Sequence, residues 1–569
     1  MKSFGPYLDV AIKAARAAGD LLRTDFQQPT GPRGQGDKAP VDTEAEQLIR
    51  GILLGGDGDF GFLGEETGAV PGAPSAPIWV VDPNDGTRDY VKGRRGSSVS
   101  IALVWEHRPV LGVVHPFGYP DGEGAMYAAV DGREGVWKNG APVTVSLPAR
   151  LSESDVVLVS GGAERAARAN LECTRPARVI SIPSIAHRLA RVAAGEASAA
   201  TSLYSPQSWD FAAGHCLIRA AGGALVDQHG DEPVYDGEGG GTAARLFAGS
   251  KAVALDLAAR DWDLAFRSER ETSMPIARLA RGGAIADSGL LARAQGALLG
   301  HLVGSAFSGA ALSHGLPAGQ LGAAGEIAVA NARSLLDFGS DDASLRSVYA
   351  AWTESSPWAP ERAMEAAASG HALASDLSEV ALARVTPLTL WGRAAAPSLL
   401  AAKVRADTAL THPSPLAGEA AAVLAIALQS LIQKGDPAAA LEAAHAFARR
   451  SGYSRAVIDT VALTSVRVTR GPAPNVLTAL HETLFHLGRG TSFPDALDSA
   501  RARGLVADAG PALVGAFIGA CFGRDAIPER LRNLVLSCRP MDGHARYPRP
   551  STYWATDAMA MSEALLTAR

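Results

Sequence analysis

The stretch "WVVDPNDGTRDY", Trp79 to Tyr90, decides how the first half of the chain is read. It begins as a buried strand and then sets Asp82, Asp85 and Asp89 around a Pro and a Gly. One reading is turn chemistry: Pro presets φ, Asn and Asp bond their own backbone, and Gly takes positive φ. The other is that an apolar strand end carrying this much negative charge serves a cation. Its surroundings choose between the two.

Working outward, residues 6–26 and "TEAEQLIRGILL" carry helical periodicity, while "IWVVD", "SSVSIALVWE", "PVLGVVH", "AMYAAV" and "DVVLVS" read as strands at hairpin-like spacing. They predict an α/β layered domain over residues 1–267. The polar, glycine-bearing segment 268–288 has no sustained period and reads as a linker. From 289 to 569 the pattern is alanine-rich and helical ("GEAAAVLAIALQSLI", "DPAAALEAAHAFARR"), which predicts an all-α domain without a fixed-period repeat.

A chain of 569 residues exceeds the size of one hydrophobic core, in keeping with two domains. Its net charge of −6 argues against a nucleic-acid partner and favours a small molecule. Cys173, Cys216, Cys521 and Cys538 show neither a disulfide framework nor metal-ligand spacing, and a reducing cytoplasm fits them. The N-terminal segment mixes acids into a helical period where an export signal would be continuously apolar. "GALLGHLVGSAFSG" carries small residues at GxxxG spacing, as membrane helix pairs do. His301, Ser305, Ser308 and many glycines dilute its hydrophobicity, so it is read as a tightly packed helix and no membrane partner is expected.

Acids recur through the first half: Asp42 in "APVDTEAE", Glu65 and Glu66 in "FLGEETG", Asp82 and Asp85 in "VVDPNDGT", and Asp210 in "SWDFAAG". Hard divalent cations such as Mg²⁺ take oxygen ligands, and carboxylates converging from strand ends and a helix start could hold two or three of them. Such ions polarise a phosphate and lower the pKa of a bound water. Gly86 and Thr87 would offer backbone N–H groups to the phosphate.

"GEE", "DPNDGT" and "WDFAAGHCLIRAAGG", in this order and spacing, resemble the inositol monophosphatase superfamily, the lithium-sensitive, Mg²⁺-dependent sugar-phosphate and nucleotide phosphatases. The resemblance covers nearly all of residues 1–267. It implies that Glu65, Asp82, the carbonyl of Asn84, Asp85 and Asp210 hold metal, that Thr87 with Asp42 orients the attacking water, and that Li⁺ inhibits. Glu66 is either a solvated acid or a support for the ligands. The family usually has Ile or Leu where Asn84 stands, and Leu203 replaces an acid that contacts substrate hydroxyls in inositol-type members, which argues against inositol phosphate. Trp209 is read as a packing residue.

The second half is similar to the ADP-ribosylglycohydrolases through "RAQGALLGHLVGSAF", "ARVTPLTLWG", "LTHPSPLAGEAAAVLAIAL" and "GAFIGACFGRDAIPERLRNLVLSCRP". In active members two acidic elements bind paired Mg²⁺. Here those elements fall on Gly322–Gly325 ("GAAG") and Val506–Ala509 ("VADA"), where only Asp508 remains, and the usual Gly-Asp-Ala is Gly304-Ser305-Ala306. The expectation is a hydrolase fold without its metal site. His412 and Pro413 either line a relic pocket or pack, and Asp341 with Asp342 reads as a loop or helix cap.

The leading expectation is a Mg²⁺-dependent phosphomonoesterase acting on a small phosphorylated metabolite. A 3′-nucleotidase or bisphosphate phosphatase of the same fold is one alternative, and an ADP-ribose-binding or glycohydrolase module with an accessory phosphatase half is another. For the helical half, ligand binding and a purely structural or homodimer-forming role stay open.

Overall fold

A computed structural model of the chain describes residues 4–55, 59–120, 124–267, 276–280, 282–464, 475–502 and 508–568. It divides into two compact units, one of residues 1–274 with 281–286, the other of 275–280 with 287–569. Part of the expected linker, 268–275 and 281, lies outside the described residues.

The first unit holds two sheets. β1 (Gly61–Gly64), β2 (Gly68–Val70), β3 (Ile78–Asp85), β4 (Ser98–Trp105), β5 (Arg108–His115), β6 (Tyr127–Val130), β7 (Val136–Lys138) and β8 (Ala141–Val143) pair in the order β2-β1-β3-β4-β5-β6-β7-β8. Only β1 and β3 run parallel in this sheet. The second sheet comprises β9 (Val156–Val159), β10 (Arg178–Ser181), β11 (Ala199–Ser202), β12 (Ala224–Asp227) and β13 (Leu246–Gly249), ordered β10-β9-β11-β13-β12.

Helices Gly5–Phe26 and Pro40–Leu54 cover one face of the first sheet, burying Leu8, Ala15, Leu22, Val41 and Ile49 against Trp79, Val81, Ile101 and Val113. Helices Ile185–Ala193 and Ser208–Ala220 lie between the sheets, the second against β4 and β5 and the first also against β11. Their contact is close because position 214 has no side chain: a Cβ there would sit 2.5 Å from Leu189 Cβ. Helices Ala167–Thr174 and Lys251–Ala258 complete an α/β/α/β/α stack. The strand centres are apolar on both faces because both are covered, so they read as continuous apolar runs.

Pro83-Asn84-Asp85, which also read as turn chemistry, belongs to the strand. β3 continues through Asp85, which pairs with Ser98, while Asp82 pairs with Ser100 and the register slips between them. Pro83 has no N–H to give a ladder, so the strand bulges there and re-aims its side chains. The chain turns at Gly86, whose φ of 104° is open to glycine and strained for other residues.

The second unit is helical. Its central pair, Ser288–Ala306 and Ala509–Phe522, meets glycine to glycine: a Cβ at Gly300 would fall 2.1 Å from the carbonyl oxygen of Gly515, and one at Gly296 2.0 Å from that of Gly519. The GxxxG stripe therefore serves backbone-close packing inside this unit. Ser288–Ser313 and Pro415–Lys434 are long and apolar enough to cross a membrane, yet 81% and 83% of their most apolar windows are buried.

Candidate metal centre

The acids reach the centre from two elements, Asp82 and Asp85 from β3 and Asp210 from a helix. Asp82 and Asp85 flank the β3 bulge. Asp210 is the third residue of helix Ser208–Ala220 and accepts the Gln207 backbone N–H at 2.7 Å, closing a capping box that fixes its carboxylate. Ligand oxygens of Asp82, Asp85 and Asp210 all lie within 4.8 Å of one another. An all-oxygen donor set at that spacing suits a hard divalent cation. Burial, then the neighbouring carboxylates Glu65, Asp85 and Asp210, push the Asp82 carboxyl well above the ordinary carboxylate range; burial and Asp85 do the same to Asp210. Clustered carboxylates in a low-dielectric site favour protons or a cation over remaining bare.

Behind Asp85 stands the N-terminus of helix Ile185–Ala193. Ser184 Oγ and the Ala186 N–H donate to Asp85 Oδ2 at 2.6 and 2.8 Å. The buried Arg188 guanidinium, anchored on the carbonyls of Ile182 and Pro183 at 2.6 and 2.8 Å, belongs to the same helix. Burial pulls its pKa down to about 10, and Asp85 and Asp210 oppose that fall. Nothing at sequence level singles out Ser184 or Arg188, because their role depends on packing across 99 and 103 residues from Asp85.

A second cluster adjoins the first. Asp42, in the first turn of helix Pro40–Leu54, accepts the Thr87 hydroxyl at Oδ2 and the Asn84 amide at Oδ1, each at 2.9 Å. Thr87 Oγ1 is also 2.9 Å from the Asn84 carbonyl oxygen, and its single proton serves one acceptor at a time. Burial lifts the Asp42 carboxyl to about 7, against both hydrogen bonds. The sequence reading gave Asn84 only its carbonyl, whereas the structure also places its side chain on Asp42, with Oδ1 buried and unpartnered.

Glu65 stands beside the three-aspartate group without belonging to it; burial raises its carboxyl to about 7, against a hydrogen bond with Asp82. As a residue Glu65 is solvent-exposed, while its carboxyl end lies among the other acids. Glu66 accepts the Thr43 hydroxyl at 3.3 Å and donates its backbone N–H to Glu46 at 2.8 Å. Glu46 also binds the Thr67 N–H and hydroxyl, so it pins the whole 65–67 turn. Its position four residues after Asp42, on one helical face, was the available sequence signal. Leu203 is half-buried against the core of the second sheet, and the Trp209 carbonyl accepts the Ser100 hydroxyl at 2.8 Å.

Residues 5–261 match the inositol monophosphatase family. Inositol monophosphatase 3 of Solanum lycopersicum is 30% identical over 240 residues, which cover 40% of this chain and 87% of that protein. The chain belongs to the inositol monophosphatase family. Other similar members are the histidinol-phosphatase of Chlorobaculum parvum, 33% identical over 41% of this chain and 90% of its own, and the 3′(2′),5′-bisphosphate nucleotidase CysQ of Escherichia coli O6:H1, 30% identical over 39% and 91%. Membership implies divalent metal ions and a small phosphorylated substrate, and the acid cluster fits both. Residues 286–556 match the ADP-ribosylglycohydrolase family, so this inositol monophosphatase relative carries a second family's fold on the same chain.

In the helical unit the positions of the expected acidic elements form a closed hydrogen-bond knot. Ser305 Oγ donates to Asp508 Oδ2 at 2.6 Å and accepts the N–H groups of Gly322 and Gly325 at 3.0 Å, while Asp508 Oδ2 also accepts the Ala324 N–H at 2.9 Å. A Cβ on Gly322 would meet Asp508 Oδ2 at 2.2 Å, so the acid occupies the space a side chain at 322 would need. Val506 and Ala507 lie outside the described residues. His412 is buried, its Nδ1 and Nε2 2.9 and 3.0 Å from the hydroxyls of Thr411 and Ser378. Asp341 caps helix Asp342–Glu354 through the Ser344 N–H at 2.8 Å.

Proposed function

We propose that the first unit is a Mg²⁺-dependent phosphomonoesterase that hydrolyses a small phosphorylated metabolite and is inhibited by Li⁺. The observation that carries this reading is the convergence of Asp82, Asp85 and Asp210 oxygens within 4.8 Å, beside a Thr87–Asp42 pair. Asp82, Asp85 and Asp210, with Glu65 and the Asn84 carbonyl, would hold the metal. When bound, the metal would polarise the phosphate and acidify a water.

This chain's own residues supply the remainder. Asp42 accepts the Thr87 proton, which leaves Thr87 Oγ1 with lone pairs to orient a water and Asp42 to receive the proton that water gives up. Asn84 keeps the carboxylate plane fixed. Gly86 lets the chain turn sharply, and the N–H groups at the start of Thr87–Tyr90 would serve the phosphate. The helical unit, lacking paired acids at the expected positions, serves binding or architecture in this reading.

A phosphate-release screen with Mg²⁺ against sugar phosphates, nucleotides, histidinol phosphate and ADP-ribose phosphates tests the proposal. Turnover that vanishes in chelator and falls with Li⁺ supports it; full turnover in chelator overturns it.

A further inference from the structure

The first unit exposes a pair of aromatic side chains, Tyr204 and Phe266. Tyr204 is 63% exposed and Phe266 46%, large values for aromatic side chains that touch each other. Their ring centres are 5.7 Å apart at a near-perpendicular 78°. The Arg245 guanidinium lies over the Phe266 ring, 5.3 Å from its centre, and is itself paired with Asp263, so one face of Phe266 is held.

The pair is tied to the metal centre through a floor of two glycines. A Cβ on Gly162 would come within 3.8 Å of the Tyr204 ring and hydroxyl, and one on Gly161 within 2.9 Å of Asp89 Oδ2. Asp89 donates its N–H to the Gly86 carbonyl at 3.0 Å, within the short helix that follows the Gly86 turn. Arg94 holds one Asp89 oxygen at 2.8 Å. The segment that presents Tyr204 continues into Ser205 at φ 21°, a conformation non-glycine residues adopt at a cost.

We infer that Tyr204 and Phe266, facing Asp89 across Gly161–Gly162, form the leaving-group subsite of the proposed phosphatase and select a planar nitrogen heteroaromatic group. The inference rests on the phosphomonoesterase reading above. The exposed rings offer a π face for stacking, and Asp89, whose Oδ2 packs against Gly161 next to the glycine that Tyr204 touches, offers an acceptor for a ring or exocyclic N–H. Leu203, packed into the core, brings no polar group for a polyol.

The test compares kcat/KM for adenosine 3′-monophosphate, histidinol phosphate and β-glycerophosphate in wild type, Tyr204→Ala and Tyr204→Phe. Wild type is expected to prefer at least one heteroaromatic ester. In Tyr204→Ala the ratio of that ester to β-glycerophosphate falls roughly tenfold, mainly through KM, the size of one lost stacking contact, and Tyr204→Phe restores it. An unchanged ratio in Tyr204→Ala, or a wild type that prefers β-glycerophosphate, overturns the subsite and leaves the phosphatase reading intact. Hydrolysis of none of the screened phosphates overturns the phosphatase reading and the subsite with it.

Discussion

Replacing Asp42 by Asn should stabilise the metal-free protein while disabling it. Asp42 is 1% exposed, and its carboxyl rises from an ordinary 3.8 to about 7 on folding, mainly through burial. A group whose pKa is raised in the folded state stabilises it fully below the unfolded pKa and loses that contribution as pH climbs to the folded value. For Asp42 the window runs from 3.8 to about 7. Three pKa units correspond to about 4 kcal/mol, the cost of keeping Asp42 ionised above pH 7. Asn at this position keeps the shape: its Oδ1 accepts from Asn84, and its Nδ2 donates to Thr87 Oγ1, whose proton turns to the Asn84 carbonyl. The rise to about 7 already contains the hydrogen bonds from Asn84 and Thr87, so they are not subtracted again. A gain of about 4 kcal/mol at pH 8 corresponds to roughly 8–16 °C in a unit of this size. Calorimetry in chelator at pH 8 and pH 4 measures it, with the gain present at the higher pH and absent at the lower. Activity with Mg²⁺ should fall by about 10²–10⁴, the span of a lost acid–base group. A variant that is less stable at pH 8 in chelator, or one that keeps wild-type turnover, refutes the reasoning.

Asp82→Asn and Asp210→Asn should each lower turnover by orders of magnitude, because metal ligands act as a unit; steady-state kinetics and Mg²⁺ titration calorimetry check both. Wild type in chelator should lose thermal stability as pH rises from 5 to 8, since Asp42 and Glu65 both titrate upward near 7, and saturating Mg²⁺ should flatten that slope. In the helical unit, Arg549→Leu should cost about 3–5 kcal/mol in denaturant unfolding, because it strands buried Glu326, which Arg549 binds through two nitrogens at 2.8 Å. Incubation of the full chain with ADP-ribosyl-arginine and Mg²⁺ should release no ADP-ribose, and turnover there would remove the case for a lost metal site.

The two-part organisation, the strand ending in charge and the separate acidic segments were all legible in the linear chain. Periodicity and local charge are written residue by residue, and a buried strand or an amphipathic helix needs no distant partner to show its pattern. The residues at Gly322–Gly325 were legible for the same reason, since a position without a carboxylate is read directly from the chain. Tertiary structure alone decided what those residues touch. The β3 bulge arises because Asp82 and Asp85 must pair with Ser100 and Ser98 around a proline that gives no N–H. The Asn84 side chain found Asp42 across 42 residues, and Asp85 found Ser184 across 99. Arg188 supports the site from a helix that looks like an ordinary amphipathic helix in sequence. Hydrogen bonds and Coulomb forces act through space over a few ångströms, so a support residue is marked by where the packing puts it, and a one-dimensional pattern holds no record of that placement.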